Sequence, residues 1–193
     1  MKANPEALDD LLQVAERYAE YCIRYTGRVT GTLLLQGPEG PSMYVPDRLD
    51  TVQAKNQFAA QARQMAIAHG ATAAVLVLEA WAVHAAPGVP LDPSLPPSQS
   101  PQRQEIVALL GEATGVQRAV MLPIQRHAAG GFSNFGPAQV QASDQAVGRF
   151  AQILPETPPT PEEQARARAQ LRAQGMQQEE LGAQKKTTPH YWH

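Results

Sequence analysis

The chain has 193 residues, 16 Lys and Arg against 18 Asp and Glu, and one cysteine. This length suffices for one domain with extensions or for two very small domains. The net charge of −2 gives no electrostatic argument for nucleic acid or an anionic membrane as partner. A single cysteine excludes an internal disulfide framework and a multi-cysteine metal site.

The start of the chain lacks the apolar core of a secretory signal, and Glu6, Asp9 and Asp10 are unlike a mitochondrial presequence. The longest apolar run, residues 71–83, is interrupted by Glu79 and is shorter than the ~20 residues of a membrane-spanning helix. We therefore expect a cytoplasmic protein without a membrane partner.

The first half of the chain predicts a helix, a hairpin and a second helix. Asn4-Pro5 is a typical helix start, apolar residues then recur at spacings of three and four, and Gly27 ends the pattern. Residues 28–36 and 42–45 predict two strands around the turn of residues 37–41. Thr51 precedes a second helix that should run to about His69.

Residues 71–84 predict a strand, because Val75, Val77 and Trp81 suit a pleated surface. Both alternating faces are apolar, which predicts a central strand covered on both sides. Six prolines in residues 86–101 then predict an extended surface loop.

The next segment predicts two strands, residues 105–110 and 116–126, joined by a five-residue turn with glycine at both ends. Because Pro123 has no N–H to donate, it places the second strand at an edge of the sheet or itself at a bulge. Residues 138–154 suit either a helix or two short strands, and the hairpin is favoured slightly because Gly148 disfavours a helix.

The pattern as a whole predicts an α+β fold: an antiparallel meander of four to six strands, with helices packed on one face and a peripheral C-terminal helix. We expect a single domain over residues 1–154, a proline-rich linker over 155–161, a helix over 162–175 and a flexible tail over 176–193. The tail ends in His190-Tyr191-Trp192-His193, which either docks on a partner chain or has no role.

Glu79 is the best candidate for an acid, a base or a ligand, because it is the one carboxylate inside the apolar strand. If it is buried it must be paired, hydrogen-bonded or protonated, and Arg103 and Arg118 on the following strands are candidate partners. The simpler interpretation is a structural ion pair or a position at the rim of the sheet.

The five histidines form no pair with metal-site spacing, apart from His190 and His193 in the tail. The sequence contains no nucleophile elbow, dinucleotide-binding fingerprint or phosphate-loop lysine. We predict no metal and no cofactor.

The segment Glu79-Ala80-Trp81, followed by the proline-rich stretch that ends in Pro97-Ser98-Gln99-Ser100-Pro101-Gln102-Arg103-Gln104-Glu105, resembles a signature of uncharacterised bacterial and phage-borne proteins. In those proteins an E-A-W strand precedes P-S-x-x-P-x-R-x-E and a hydrophobic strand. The resemblance spans roughly residues 50–126 and implies no activity. It does make the region from Glu79 to Glu105, which contains Trp81 and Arg103, the place to examine.

We expect a non-catalytic binding or assembly module, with a second copy of the chain as the candidate partner. The candidate contact residues are Glu79, Trp81, Arg103, Glu105 and Arg118. The alternative is a small hydrolase-like enzyme with Glu79 as acid or base. That alternative requires Glu79 to open into a pocket beside another ionisable group. A nucleic-acid accessory role would require a basic face.

Overall fold

A computed structural model describes residues 5–83, 95–142 and 150–174. Within these ranges, three α-helices and seven antiparallel strands form an α+β fold, which is the predicted class. The sheet order is β2-β1-β3-β4-β5-β6, and β7 pairs with β5. The strands follow one another as a meander, except that α2 lies between β2 and β3.

Helix α1 spans Pro5–Thr26, where the spacing of apolar residues predicted it. It ends at Gly27, whose φ of 79° is readily adopted only by glycine. Strands β1 (Thr32–Gly37) and β2 (Gly40–Tyr44) form the predicted hairpin.

Helix α2 spans Val52–His69, between two capping residues that the sequence identified. The Thr51 side chain accepts a hydrogen bond from the Ala54 amide, and Gly70 ends the helix in the left-handed conformation. Strand β3 (Ala73–Ala82) follows at once and pairs with β1.

Strand β4 (Gln104–Ala113) is longer than predicted, strand β5 (Val116–Arg126) has the predicted bounds, and the turn between them is shorter. Gly111 was predicted to begin the turn, but it lies inside β4 and pairs with Val75 and Arg118. A Cβ atom there would lie 3.0 Å from Leu8 Cδ1 and 3.2 Å from Leu12 Cδ2. Gly111 is therefore a packing position that lets α1 approach the sheet.

Strand β5 has neighbours on both sides, so it is not an edge strand in the sense predicted from Pro123. On the side away from β4, β5 has two partners in succession. Its residues up to Met121 pair with β7 (Gln139–Ala142), and its residues from Ile124 onwards pair with β6 (Phe132–Phe135). Pro123 lies in the gap between these two ladders, where a residue without an N–H is tolerated.

The strand Gln139–Ala142 agrees with the first half of the hairpin predicted for residues 138–154. Residues 150–154 are turn and irregular backbone, so neither the second strand nor a helix exists there. Residues 143–149 in the middle of that segment lie outside the described residues, as do most of the proline-rich loop and the whole tail.

The sheet has a hydrophobic core on each face. One core joins α1 to the face that carries Leu34, Val75, Val77 and Leu109. The other joins α2 to the opposite face, which carries Leu33 and Leu76. The two long helices thus lie on opposite faces rather than side by side on one, because the apolar residues of β1 and β3 face both ways.

Helix α3 (Pro161–Ala173) begins with the predicted capping box between Thr160 and Glu163. It packs on α2, and its Ala167 and Leu171 belong to the same core as Phe58. Arg168 strengthens this contact by donating to the Ala68 carbonyl at 2.9 Å.

Candidate functional site

The sequence candidates converge where the sheet extends beyond the end of α1. Trp81 pairs with Glu105 across β3 and β4, and Glu79 pairs with Val107 two residues away. Paired residues of antiparallel strands share a face, so Glu79, Trp81 and Glu105 lie on the face that α1 covers further along the sheet. We call the surface formed by Glu79, Trp81, Arg103, Glu105 and Arg126 the Trp81 face.

This end of β3 is open on the α1 side for a geometric reason. Helix α1 stops at Thr26, and the pairing of β1 with β3 begins only at Thr32, opposite Val77. Strand β3 is consequently buried over residues 73–77 and partly exposed from Leu78 onwards. The prediction that the whole strand is covered on both sides was wrong for its second half.

Glu79 is exposed, so the prediction of a buried carboxylate was wrong. Its Oε2 accepts a hydrogen bond of 2.7 Å from the Val29 backbone amide. The carboxylate thereby holds the segment that enters β1 against the end of β3. Its position at the rim of the sheet matches the simpler interpretation given above.

Arg103 was predicted to reach back to Glu79, but its guanidinium carbon lies over the Trp81 ring, 5.0 Å from the centroid. A turn places it there. The Ser100 carbonyl accepts from the Arg103 amide at 3.2 Å, and the Ser100 hydroxyl accepts from the Gln102 amide at 3.2 Å. Ser100 is itself buried, which anchors the turn.

Glu105 is paired with Arg126, which the sequence reasoning did not select. Arg126 Nε donates to Glu105 Oε2 at 2.8 Å, and its NH2 group donates to Oε1 at 2.5 Å. This two-point contact raises the pKa of the Arg126 guanidinium, and the negative charges of Glu105 and Glu79 add to the effect. Two parallel hydrogen bonds orient both side chains.

The alternation of β5 contained a usable signal for Arg126. Arg118 and Arg126 are eight residues apart, an even number, so both lie on the same face of that strand. Only the register could decide which of the two meets the candidate acids.

Arg118 is not part of the Trp81 face. It pairs with Gly111 on β4 and forms an ion pair with Asp9 near the start of α1. Eight residues of strand separate it from Arg126, roughly 27 Å. The predicted pairing of Arg118 with Glu79 was therefore wrong.

The Trp81 face presents an exposed aromatic ring near paired charges. Trp81 is 43% exposed, a large fraction for a tryptophan, and Arg103 covers one side of its ring. The hydrogen-bonding groups of Arg126 and Glu105 are largely directed at each other. This arrangement is suited to contact with another surface.

Among the clefts formed by the described residues, two of the best defined lie elsewhere, and Glu79 lines neither. One, of about 400 Å³, lies between the end of β2 and the first turns of α2. The other, of about 230 Å³, lies between α2, residues 155–159 and α3.

Among the described residues, no group of three His, Cys, Asp or Glu side chains is placed to hold a metal ion. His69 at the end of α2 has a lowered pKa, first because burial disfavours its charged form and also because Arg168 lies near. His84, His190 and His193 lie outside the described residues. No helix within residues 5–83, 95–142 and 150–174 combines the length and the apolar character needed to cross a bilayer.

Comparison of the chain with known protein families, with curated proteins and with solved structures gives no match in any of the three. The resemblance built on Glu79-Ala80-Trp81 and the P-S-x-x-P-x-R-x-E segment therefore stays a prediction. Its four selected residues nonetheless lie on one face of the fold.

Proposed function

We propose that this protein is a non-catalytic assembly module and that the Trp81 face is the surface through which two copies of the chain associate. The observation that carries the proposal is the exposed Trp81 ring, which lies under Arg103 and whose residue pairs across the strands with Glu105 of the oriented ion pair. Tryptophan and arginine are the residue types most enriched among the energetically dominant positions of interfaces.

The charges of the face favour a second copy as the partner. The Trp81 face contains two carboxylates, Glu79 and Glu105, and two guanidiniums, Arg103 and Arg126. In a two-fold symmetric contact each surface meets its own copy, so a patch with balanced charges can pair its acids with the partner's arginines. The net charge of −2 per chain opposes such a contact only weakly.

The size of the face indicates a weak dimer. A stable interface buries about 800 Å² on each partner, and a tryptophan contributes about 150–250 Å². Trp81 and the four side chains around it cover part of the area required. We therefore expect association in the micromolar range rather than a permanent dimer.

Sedimentation equilibrium of the full chain at about 1 µM to 1 mM tests the proposal. We expect a monomer–dimer equilibrium, and we expect Trp81→Ala to weaken it at least tenfold. Tyr25→Ala is the matched control, because Tyr25 is a 71% exposed aromatic residue outside the face. A wild-type chain that stays monomeric throughout, or a Trp81→Ala variant that dimerises as the wild type does, would overturn the proposal.

The hydrolase-like alternative has less support from the geometry. It requires Glu79 to act as acid or base in a cavity, whereas the exposed carboxylate accepts the Val29 amide and lies outside both clefts. The proposed module involves neither metal nor cofactor in its contact.

A further inference from the structure

The larger cleft has the size and the mixed lining of a small-molecule site. Its volume of about 400 Å³ falls within the usual range of about 300–1,000 Å³ for ligand pockets. It lies at α2, on the face of the sheet opposite α1, so it is separate from the Trp81 face. Its lining combines two aromatic residues, four uncharged polar residues, two charged residues and two small apolar residues: Tyr44, Pro46, Asp47, Arg48, Thr51, Gln53, Ala54, Gln57, Phe58 and Gln61.

Three glutamines form one wall of this cleft. Gln53, Gln57 and Gln61 are spaced four residues apart on α2, so they lie one above another along one side of the helix. Each amide has donors and an acceptor, and each can therefore bind a hydroxyl group in either direction. A row of amides suits a ligand that carries several neighbouring hydroxyls.

The aromatic part of the lining is held in place. The ring of Tyr44 stacks on that of Phe58 with the centroids 5.8 Å apart, and the Tyr44 hydroxyl donates to Gln61 Oε1 at 3.4 Å. Phe58 is 1% exposed, so the half-buried Tyr44 supplies the accessible aromatic surface. Burial raises the pKa of the Tyr44 hydroxyl, and the nearby charge of Asp47 raises it further.

The charges at the cleft do not favour an anionic ligand. Arg48 is held by Asp50, with contacts of 3.0 and 3.1 Å to the two carboxylate oxygens. Asp47 remains as an acceptor at the rim and would repel an anion, while hydroxyl groups can donate to it.

From this lining we infer that the cleft between β2 and α2 binds a neutral carbohydrate, with the apolar face of a sugar ring on Tyr44 and its hydroxyls on the glutamines and Asp47. This inference does not rest on the assembly proposal. A ligand of about 12 heavy atoms in an open cleft should bind with a dissociation constant of about 1 mM.

Ligand-observed NMR of the full chain tests this inference, with glucose, galactose, mannose, N-acetylglucosamine, maltose and cellobiose as separate probes. We expect saturation transfer to at least one of these sugars, and we expect Gln57→Ala to weaken its binding at least fivefold. Gln57 is exposed, so its replacement should leave the fold intact. Gln13→Ala on α1 is the matched control, because Gln13 is also an exposed helical glutamine.

Gln53→Ala provides a second variant on the same wall. The inference is overturned if none of the sugars binds the wild type, if both glutamine variants bind as the wild type does, or if inorganic phosphate binds in the cleft and the sugars do not. Dimerisation is read separately by sedimentation, so the two proposals can fail independently.

Discussion

Glu112 and Ile153 are 41 residues apart in the chain, yet Glu112 Oε2 accepts a hydrogen bond of 2.9 Å from the Ile153 backbone amide. The other oxygen, Oε1, accepts from the Leu154 amide at 3.3 Å. This half-buried carboxylate thus holds the segment that leads to α3 against the sheet. The side chains of Ile153 and Leu154 can then enter the core beneath α2.

Glu112 should make stability depend on pH. Burial raises its pKa above the usual 4.5, and this outweighs the lowering by the two amides and by Arg63. The folded chain therefore holds this proton more tightly than the unfolded chain, and ionisation costs stability as the pH rises from 4.5 through the raised value. We therefore compare the free energy of unfolding of the wild type with that of Glu112→Gln. The difference, wild type minus variant, should decrease over this pH interval.

Urea unfolding at a series of pH values measures this difference. Glu156→Gln is the matched control, because Glu156 is an exposed carboxylate in the same connecting region. Parallel pH curves for the wild type and Glu112→Gln would contradict the expectation.

Gly111→Ala tests the close approach of α1 to the sheet. The added methyl would lie 3.0 and 3.2 Å from side-chain carbons of Leu8 and Leu12, both of which are buried and cannot easily move. We expect a loss of about 1 kcal/mol in the free energy of unfolding, after the better strand propensity of alanine offsets part of the crowding. Gly131→Ala should be near neutral, because a Cβ atom there meets no heavy atom within 4 Å. Equal stability of the two variants would show that α1 adjusts freely.

Leu171→Ala tests whether α3 unfolds together with the rest of the chain. Leu171 is 1% exposed in the core shared with α2. Its truncation should cost about 2–5 kcal/mol, measured as a lower urea midpoint at unchanged slope. The exposed Arg172, replaced by alanine, is the control on the same helix. A change below about 0.5 kcal/mol for Leu171→Ala would mean that α3 contributes little to the cooperative fold.

The order of the elements was predictable because local signals delimit them. Thr51 and Gly70 bracket α2 with a side-chain cap and a left-handed residue, and the valines of β3 favour a strand whatever surrounds them. The candidate site was predictable only in part. Glu79, Trp81, Arg103 and Glu105 were selected and do meet on one face, whereas their partners were assigned wrongly.

The errors at the site share one physical cause, the register between strands. A shift of register changes every cross-strand neighbour while it leaves the sequence pattern of each strand intact. The observed register places Arg126 beside Glu105. It places Arg118 beside Asp9, which lies near the N-terminal end of α1. The sequence of β5 alone does not distinguish Arg118 from Arg126 as the partner of Glu105.

The amino-acid sequence by itself determined most of the helices and strands, though not β6, where most of them begin and end, and that the strands form an antiparallel meander. Those properties depend on side-chain shape, backbone freedom and hydrogen bonds between near neighbours. Only the tertiary structure decided that Glu79 lies at an exposed rim, that Gly111 serves packing rather than a turn, and which arginine Glu105 contacts. These depend on where α1 ends above the sheet and on how β3, β4 and β5 are aligned, which are distances between residues far apart in the chain.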